Sequence, residues 1–343
     1  MRSSRKGGMS SFAFHVSGIL LATVVTLTGC SNDTSLIKVG VSVPKTTAPV
    51  YTLMKQAMIA HENEYGIKIL WNGVRDEDGT QDLAALEIQQ IREMFERRIR
   101  VLILKSTDVK AAYPILREAR RWHVPVITLD RLLLSMPVRG HIGVNEAGLG
   151  AAAAQYAIEQ IGYKGNALVL EGPIGVESLR NISLGIYRVL DQYPDDIRVR
   201  ARTSALNVDA AFELTNRILN NYAGNIQAII AVDSTLAVGA VRGVQLHGLT
   251  DQIITVGVGA GEEACRQIML KQHDAEVDLM PYERGLESLK AAVDALNDRP
   301  FSADLELPNG GILTKTKLGP TRLITPANYL VMEPMWPDLF NKK

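Results

Sequence analysis

From Ile37 onward, apolar residues alternate between two periodicities. Ile37-Lys-Val-Gly-Val-Ser-Val43 sets β-branched residues at every second position and stops at Pro44, which reads as a strand. Tyr51, Met54, Met58 and Tyr65 then recur at spacings of three, four and seven, one face of a helix. The pattern predicts further strands at 67–71, 101–104 and 124–129, with helices at 83–95 and 111–122 between them. A second series places strands at 141–144, 167–170, 199–205, 228–232, 253–258 and 275–279, separated by helices led by 147–161, 208–220 and 236–247. Strands that alternate with helices of this length imply parallel sheets covered on both faces. Short, wholly apolar strands such as Val101-Leu-Ile-Leu104 fit burial on both sides. About ten strands overfill a single sheet, so the chain is expected to divide near Val144 into two α/β lobes. In such sheets ligands bind beyond the carboxyl ends of the strands.

The residues ahead of Ile37 follow another rule. Arg2, Arg5 and Lys6 precede an apolar stretch that begins at Phe12, and small residues follow it, the layout of an export signal. Its apolar core, Ile19 to Leu27, falls short of the roughly 20 residues that a membrane span requires. The ending Leu27-Thr28-Gly29-Cys30 resembles the lipobox of bacterial lipoproteins, where the peptide is cut before a cysteine whose thiol then carries lipid. The expectation is an exported protein, in the periplasm or at the cell surface, held to a membrane by lipidated Cys30.

Charge and cysteine content narrow the picture. The chain balances 37 basic against 37 acidic residues, and loss of the signal removes bases only. The mature protein is thus slightly acidic, without the basic face that a nucleic-acid partner calls for. Two cysteines are present; with Cys30 lipidated, Cys265 is left alone and reads as a small buried residue. Gly257-Val-Gly259-Ala-Gly261 follows a strand, but its third glycine comes one residue early for a dinucleotide fingerprint. No histidine pairs with another ligand type at a metal spacing, and no nucleophile motif occurs. No cofactor, no metal and no enzymatic activity are therefore expected. Residues 301–343 read as a strand plus an irregular tail, and Trp71, Trp122 and Trp336 as packing residues.

The candidate chemistry lies at the predicted strand ends. The first strand delivers the segment from Pro44 to Tyr51, the third Lys105-Ser-Thr-Asp108 and the fourth Asp130-Arg131. In the second half the ends are Glu171 to Gly175, Leu206-Asn207, Asp233-Ser234 and Gly259-Ala-Gly261. Facing carboxylates, amides and guanidinium groups suit a polyhydroxylated ligand, because each hydroxyl both donates and accepts. Asp108 and Ser234 are as readily loop or capping residues. Asp130-Arg131 stands apart, since the charge pair follows a buried strand with no polar loop between.

Val124-Pro-Val-Ile-Thr-Leu-Asp-Arg131 resembles the matching segment of ribose-type, sugar-binding (type 1) periplasmic solute-binding proteins, which share their fold with the ligand lobes of lac-repressor-type regulators. The likeness runs from about Ile37 to Pro300. It includes Ile142-Gly-Val-Asn145 followed by Gly148, Ala228-Ile-Ile-Ala-Val-Asp233 followed by Ala237 and Gly239, and Thr255-Val-Gly257. The resemblance implies a type 1 periplasmic-binding-protein fold: two doubly wound parallel-sheet lobes joined by three crossing strands, with the ligand enclosed between them. The expected division is a signal at 1–29, a tether at 30–36, an N-terminal lobe at 37–144 and 280–312, a C-terminal lobe at 145–279 and 313–330, and a tail at 331–343. The same likeness implies that Asp130 and Arg131 contact sugar hydroxyls and that Asp233 meets the ligand from the second lobe. Several positions depart from the pattern: Ile182 where relatives carry Arg, Gly259 where they carry Asp, Leu279 near a polar position, and Tyr51 in place of two aromatics. Lys105, Glu177, Arg180 and Asn207 are the residues expected to substitute.

Together these readings describe a lipid-anchored solute-binding protein that captures a small polar ligand, sugar or sugar-like, by lobe closure and hands it to an ABC importer. The alternative is a receptor whose closed cleft is read by a membrane histidine kinase or chemoreceptor. Asp130→Ala is expected to weaken binding without unfolding the protein.

Overall fold

The computed structural model describes residues 36–44, 46, 48–73, 82–193, 198–202, 205–222 and 225–341. The signal segment, Cys30 and the tether as far as Ser35 lie outside the described residues.

The first lobe starts as β1 (Ile37–Val43), α1 (Pro49–His61), β2 (Ile67–Gly73), α2 (Leu83–Glu96), β3 (Ile99–Leu104), α3 (Ala112–Arg121), β4 (Val126–Leu129) and β5 (Gly140–Gly143). The chain then enters the second lobe through α4 (Glu146–Gln160), β6 (Ala167–Glu171), α5 (Glu177–Leu190), β7 (Arg198–Arg202) and α6 (Val208–Tyr222). That lobe continues through β8 (Ala228–Ala231), α7 (Ser234–Leu246), β9 (Ile254–Val258), α8 (Glu262–Met269) and β10 (Ala275–Asp278). It returns to the first lobe as α9 (Pro281–Leu296), β11 (Leu305–Asn309) and β12 (Ile312–Leu318), and crosses once more to β13 (Arg322–Ile324).

Two sheets result, in the orders β11-β12-β5-β4-β3-β1-β2 and β13-β10-β9-β8-β6-β7. Each is parallel except at one edge, where β11 runs antiparallel to β12 and β13 antiparallel to β10. The lobes are joined at three crossings, after β5, after β10 and after β12. This is the expected two-lobed, doubly wound architecture. The third crossing comes later than the division at 312/313 anticipated, because Thr316, Lys317 and Leu318 still pair with His141, Ile142 and Gly143 of the first sheet. The terminal region is also more regular than a strand plus a tail, for it supplies β11, β12, β13 and two single turns of 3-10 helix.

Strand β3 shows why its sequence carries no polar alternation. Val101 and Ile103 join Met54 and Leu289 in one core, while Leu102 and Leu104 join Met94 and Ile115 in another on the opposite face. A strand covered by helices on both sides has no wet face to mark with polar residues. In the second lobe α4 and α5 pack closely through small residues. A Cβ on Gly185 would stand 1.9 Å from the Ala147 carbonyl oxygen, and one on Gly150 would stand 2.0 Å from that of Ile182. Two glycines facing opposite backbones thus set the depth at which α5 sits, and with it the positions of Leu179 and Ile182.

Candidate functional site

A cavity of about 310 Å3 opens where the carboxyl ends of both sheets meet. The first lobe contributes Tyr51 and Leu53 from α1, Lys105 after β3, Asp130 after β4 and Arg284 from α9. The second contributes Glu146 and Leu149 from α4, Ser178, Leu179 and Ile182 from α5, Asp233 after β8, and Gly259-Ala260-Gly261 after β9. Val144 and Leu279 line it where the chain crosses between lobes, and Met335 and Trp336 arrive from the C-terminal segment.

Asp130 organises the first-lobe wall. Its φ of +58° turns the chain sharply as β4 ends, a conformation that Asp tolerates better than most residues. Its carboxylate accepts hydrogen bonds from an Arg284 guanidinium N–H, from Lys105 Nζ at 3.0 Å and from Tyr51 Oη at 3.4 Å. The Lys105 ammonium also lies 5.0 Å from the centre of the Tyr51 ring, within cation–π range. Arg284 is 1% exposed, and its Nε has no hydrogen-bond partner. Burial pushes its pKa down to about 10, which leaves it cationic at neutral pH. A buried guanidinium needs a counter-ion, and Asp130 supplies it.

The second-lobe wall rests on a buried carboxylate. Glu276 is fully buried in β10; its Oε2 accepts from Ser234 Oγ at 2.6 Å and from the Ala260 N–H at 2.9 Å. Ser234 Oγ in turn accepts from the Gly261 N–H at 3.0 Å, so one side chain holds the loop after β9 to the start of α7. Gly257 leaves room for this arrangement, since a Cβ there would stand 2.0 Å from Glu276 Oε1. Gly259 (φ +134°) and Ala260 (φ +52°) both occupy the left-handed half of backbone space, which shapes the loop against the cavity. Asp233 caps α7 by accepting from the Thr235 N–H at 2.7 Å, and burial raises its carboxyl pKa. Glu146 accepts from Asn181 Nδ2 at 2.7 Å.

Of the residues singled out from sequence, Tyr51, Lys105, Asp130 and Asp233 meet in this cavity. Four others do not, and each has a local reason. Arg131 is exposed, with Nη1 3.5 Å from the Thr107 carbonyl; the turn at Asp130 sends successive side chains in different directions. Asn207 is exposed and accepts from the Ala210 N–H at the start of α6, a capping role. Glu177 and Arg180 are exposed on the first turn of α5 and lie 3.8 Å from each other. All four positions that depart from the sugar-binding pattern, Tyr51, Ile182, Gly259 and Leu279, line the cavity. Arg284 and Glu146 went unnoticed in the sequence, and Trp336, read there as a packing residue, lines the cavity. Glu146 had a signal, since it adjoins the Ile142-Gly-Val-Asn145 element, whereas nothing in Pro281-Tyr-Glu-Arg-Gly285 marks Arg284.

The family model for the periplasmic binding protein domain matches residues 39–300, most of the chain. The chain belongs to the periplasmic binding protein family. Among curated relatives, the periplasmic binding protein is 23% identical to the xylitol-binding protein of Mycolicibacterium smegmatis, over 70% of this chain and 66% of that one. It is 24% identical to the ribose import binding protein RbsB of Haemophilus influenzae, over 77% of this chain and 86% of that one. Among solved structures it resembles AraP, an arabinose binding protein from Geobacillus stearothermophilus, with a TM-score of 0.72 and 14% identity over 86% of this chain and 99% of that one. A periplasmic ribose ABC transporter structure from Conexibacter woesei gives a TM-score of 0.71 and 18% identity over 89% and 97% of the two chains. These structural likenesses establish the two-lobed fold. The family is one of binding proteins.

Proposed function

We propose that this periplasmic binding protein is exported, anchored to a membrane through lipidated Cys30, and captures a small sugar-like ligand between its lobes for delivery to an ABC importer. The observation that carries the reading is the cavity itself, in which Asp130, Lys105 and Arg284 of one lobe and Asp233 and Glu146 of the other converge at the strand ends. Such a set offers charge-assisted donors and acceptors to hydroxyl groups from both sides. Ligand contacts made with both lobes favour the closed arrangement over the open one. Asp130, Lys105, Tyr51 and Asp233 are the proposed ligand contacts, joined by Arg284. Arg131, Asn207, Glu177 and Arg180 are left out of the set because their side chains lie outside the cavity. The ligands for which these relatives are named, a pentitol and a pentose, support the sugar-like class.

The test is a thermal-shift screen of the protein beginning at Ser31 against pentoses, hexoses, polyols, nucleosides and sugar acids. A ligand at about a thousandfold over its dissociation constant adds roughly 4 kcal/mol of stability and moves Tm by several degrees. A shift with sugars or polyols supports the reading; a shift with nucleosides alone sinks the ligand class. Anchoring is tested separately, because Cys30→Ser should move the protein from the membrane to the soluble fraction of the envelope.

A further inference from the structure

The C-terminal segment is more than a tail. Met332 and Met335 share a small core with Leu53 of α1 in the first lobe and with Ala260, Cys265 and Ile268 in the second. Met335 and Trp336 also line the cavity. The indole is pinned in place, since Nε1 donates to the Ala260 carbonyl at 3.0 Å. Its one polar group is thereby spent on the protein, and what it offers the cavity is carbon surface. Both residues lie beyond the stretch 39–300 that the family model matches. Ile182 and Leu279, two of the positions where a polar group was expected, add more carbon, and Gly259 adds no side chain.

Several of the charged groups in the cavity also hold protein partners. Asp130 holds Arg284, Lys105 and Tyr51; Asp233 caps α7; Glu146 accepts from Asn181. A ring with hydroxyls on every side would turn some of them against Trp336, Ile182 and Leu279, where water is lost and no partner replaces it. We propose that the C-terminal segment is part of the binding site. Met335 and Trp336, together with Ile182 and Leu279, form an apolar wall that selects a ring carrying bare carbon among its hydroxyls. The fitting class is a deoxy or C-methyl sugar rather than a fully hydroxylated one. This inference rests on the sugar-binding reading above.

The experiment compares matched pairs by isothermal calorimetry on the unmodified protein: L-rhamnose with L-mannose, D-fucose with D-galactose, and 2-deoxy-D-ribose with D-ribose. At least one deoxy sugar should bind about tenfold or more tightly than its parent, the scale of one unmet hydrogen bond. Trp336→Ala should then lose about tenfold for that sugar, while Trp336→Phe, which keeps an aromatic face, stays within about threefold. Should Trp336→Ala fail to fold, the comparison of pairs on the unmodified protein still decides. Parent sugars that bind as tightly as their deoxy forms, or a folded Trp336→Ala with unchanged affinity, overturn the apolar wall and leave the sugar-binding reading standing. No binding by either member of any pair overturns the apolar wall, and it overturns the sugar-binding reading as well when the thermal-shift screen finds no sugar or polyol.

Discussion

The Asp130–Arg284 pair makes an asymmetric prediction. Arg284 is 1% exposed, and with its Nε already unpartnered, Asp130→Ala leaves a buried guanidinium without its carboxylate. Removing one member of a buried pair typically costs about 3–5 kcal/mol, much of it the penalty of stranding the other charge. The reverse change strands much less. In Arg284→Met the Asp130 carboxylate keeps Lys105 at 3.0 Å and Tyr51 at 3.4 Å, and its side chain is 15% exposed. Loss of one charged hydrogen bond, offset by relief of the guanidinium's desolvation, gives about 1–2 kcal/mol. At roughly 2 °C per kcal/mol for a chain this long, Asp130→Ala should lower Tm by about 6–10 °C and Arg284→Met by about 2–4 °C. The double variant, with both charges gone, should recover part of the loss of Asp130→Ala. Circular dichroism melts of ligand-free protein beginning at Ser31 supply the four numbers. An Asp130→Ala variant melting within about 2 °C of the unmodified protein, or an Arg284→Met variant costing more, would refute the reasoning. The same carboxylate both lines the cavity and holds Arg284, so a loss of binding in Asp130→Ala should come together with this lowered Tm in a protein that still folds.

Further outcomes follow from other parts of the molecule. His141, buried in β5 beside the Thr128 hydroxyl at 2.9 Å, has its pKa lowered by burial from 6.5 to about 4. Because the unfolded chain takes up that proton first, stability should be lost as pH falls from about 6.5 to 4, to a ceiling of roughly 3 kcal/mol. Asp233 and Asp278, whose carboxyl pKa values burial raises, work in the opposite direction. Denaturant titrations of the unmodified protein and of His141→Gln across that range isolate the histidine, and parallel curves would rule out its role. Gly185→Ala must push α5 away from the Ala147 carbonyl, 1.9 Å from the new Cβ, and should cost about 1–3 kcal/mol or more in a urea melt. The same displacement moves Leu179 and Ile182, so ligand affinity should fall with it. Arg180→Ala and Asn207→Ala lie outside the cavity and should leave affinity within about twofold by calorimetry; a tenfold loss in either would return that residue to the site.

The alternation of apolar runs determined the class of fold, because burying a strand on both faces and a helix on one imposes periodicities that survive without any tertiary knowledge. Strands 37–43, 101–104 and 228–232 were legible for that reason, and so was the rule that directs attention to their carboxyl ends. Lys105, Asp130 and Asp233 were found by that rule, since each follows its strand within two residues, and Tyr51 was found at the far end of the segment that the first strand delivers. The proposal of an export signal likewise rests on the sequence alone. What the sequence left open was direction and distance. A residue named from a strand end points into the cleft or away from it according to a turn of one or two residues, and the φ of +58° at Asp130 separates that residue from Arg131. Arg284 stands 154 positions beyond Asp130 and Trp336 another 52 beyond Arg284, and local patterns hold no record of contacts made across such spans. Only the packing of α9 against the first sheet and of the C-terminal segment across both lobes brings a cation and an indole into one cavity. Those placements depend on the summed geometry of three crossings, which no single stretch of the chain encodes.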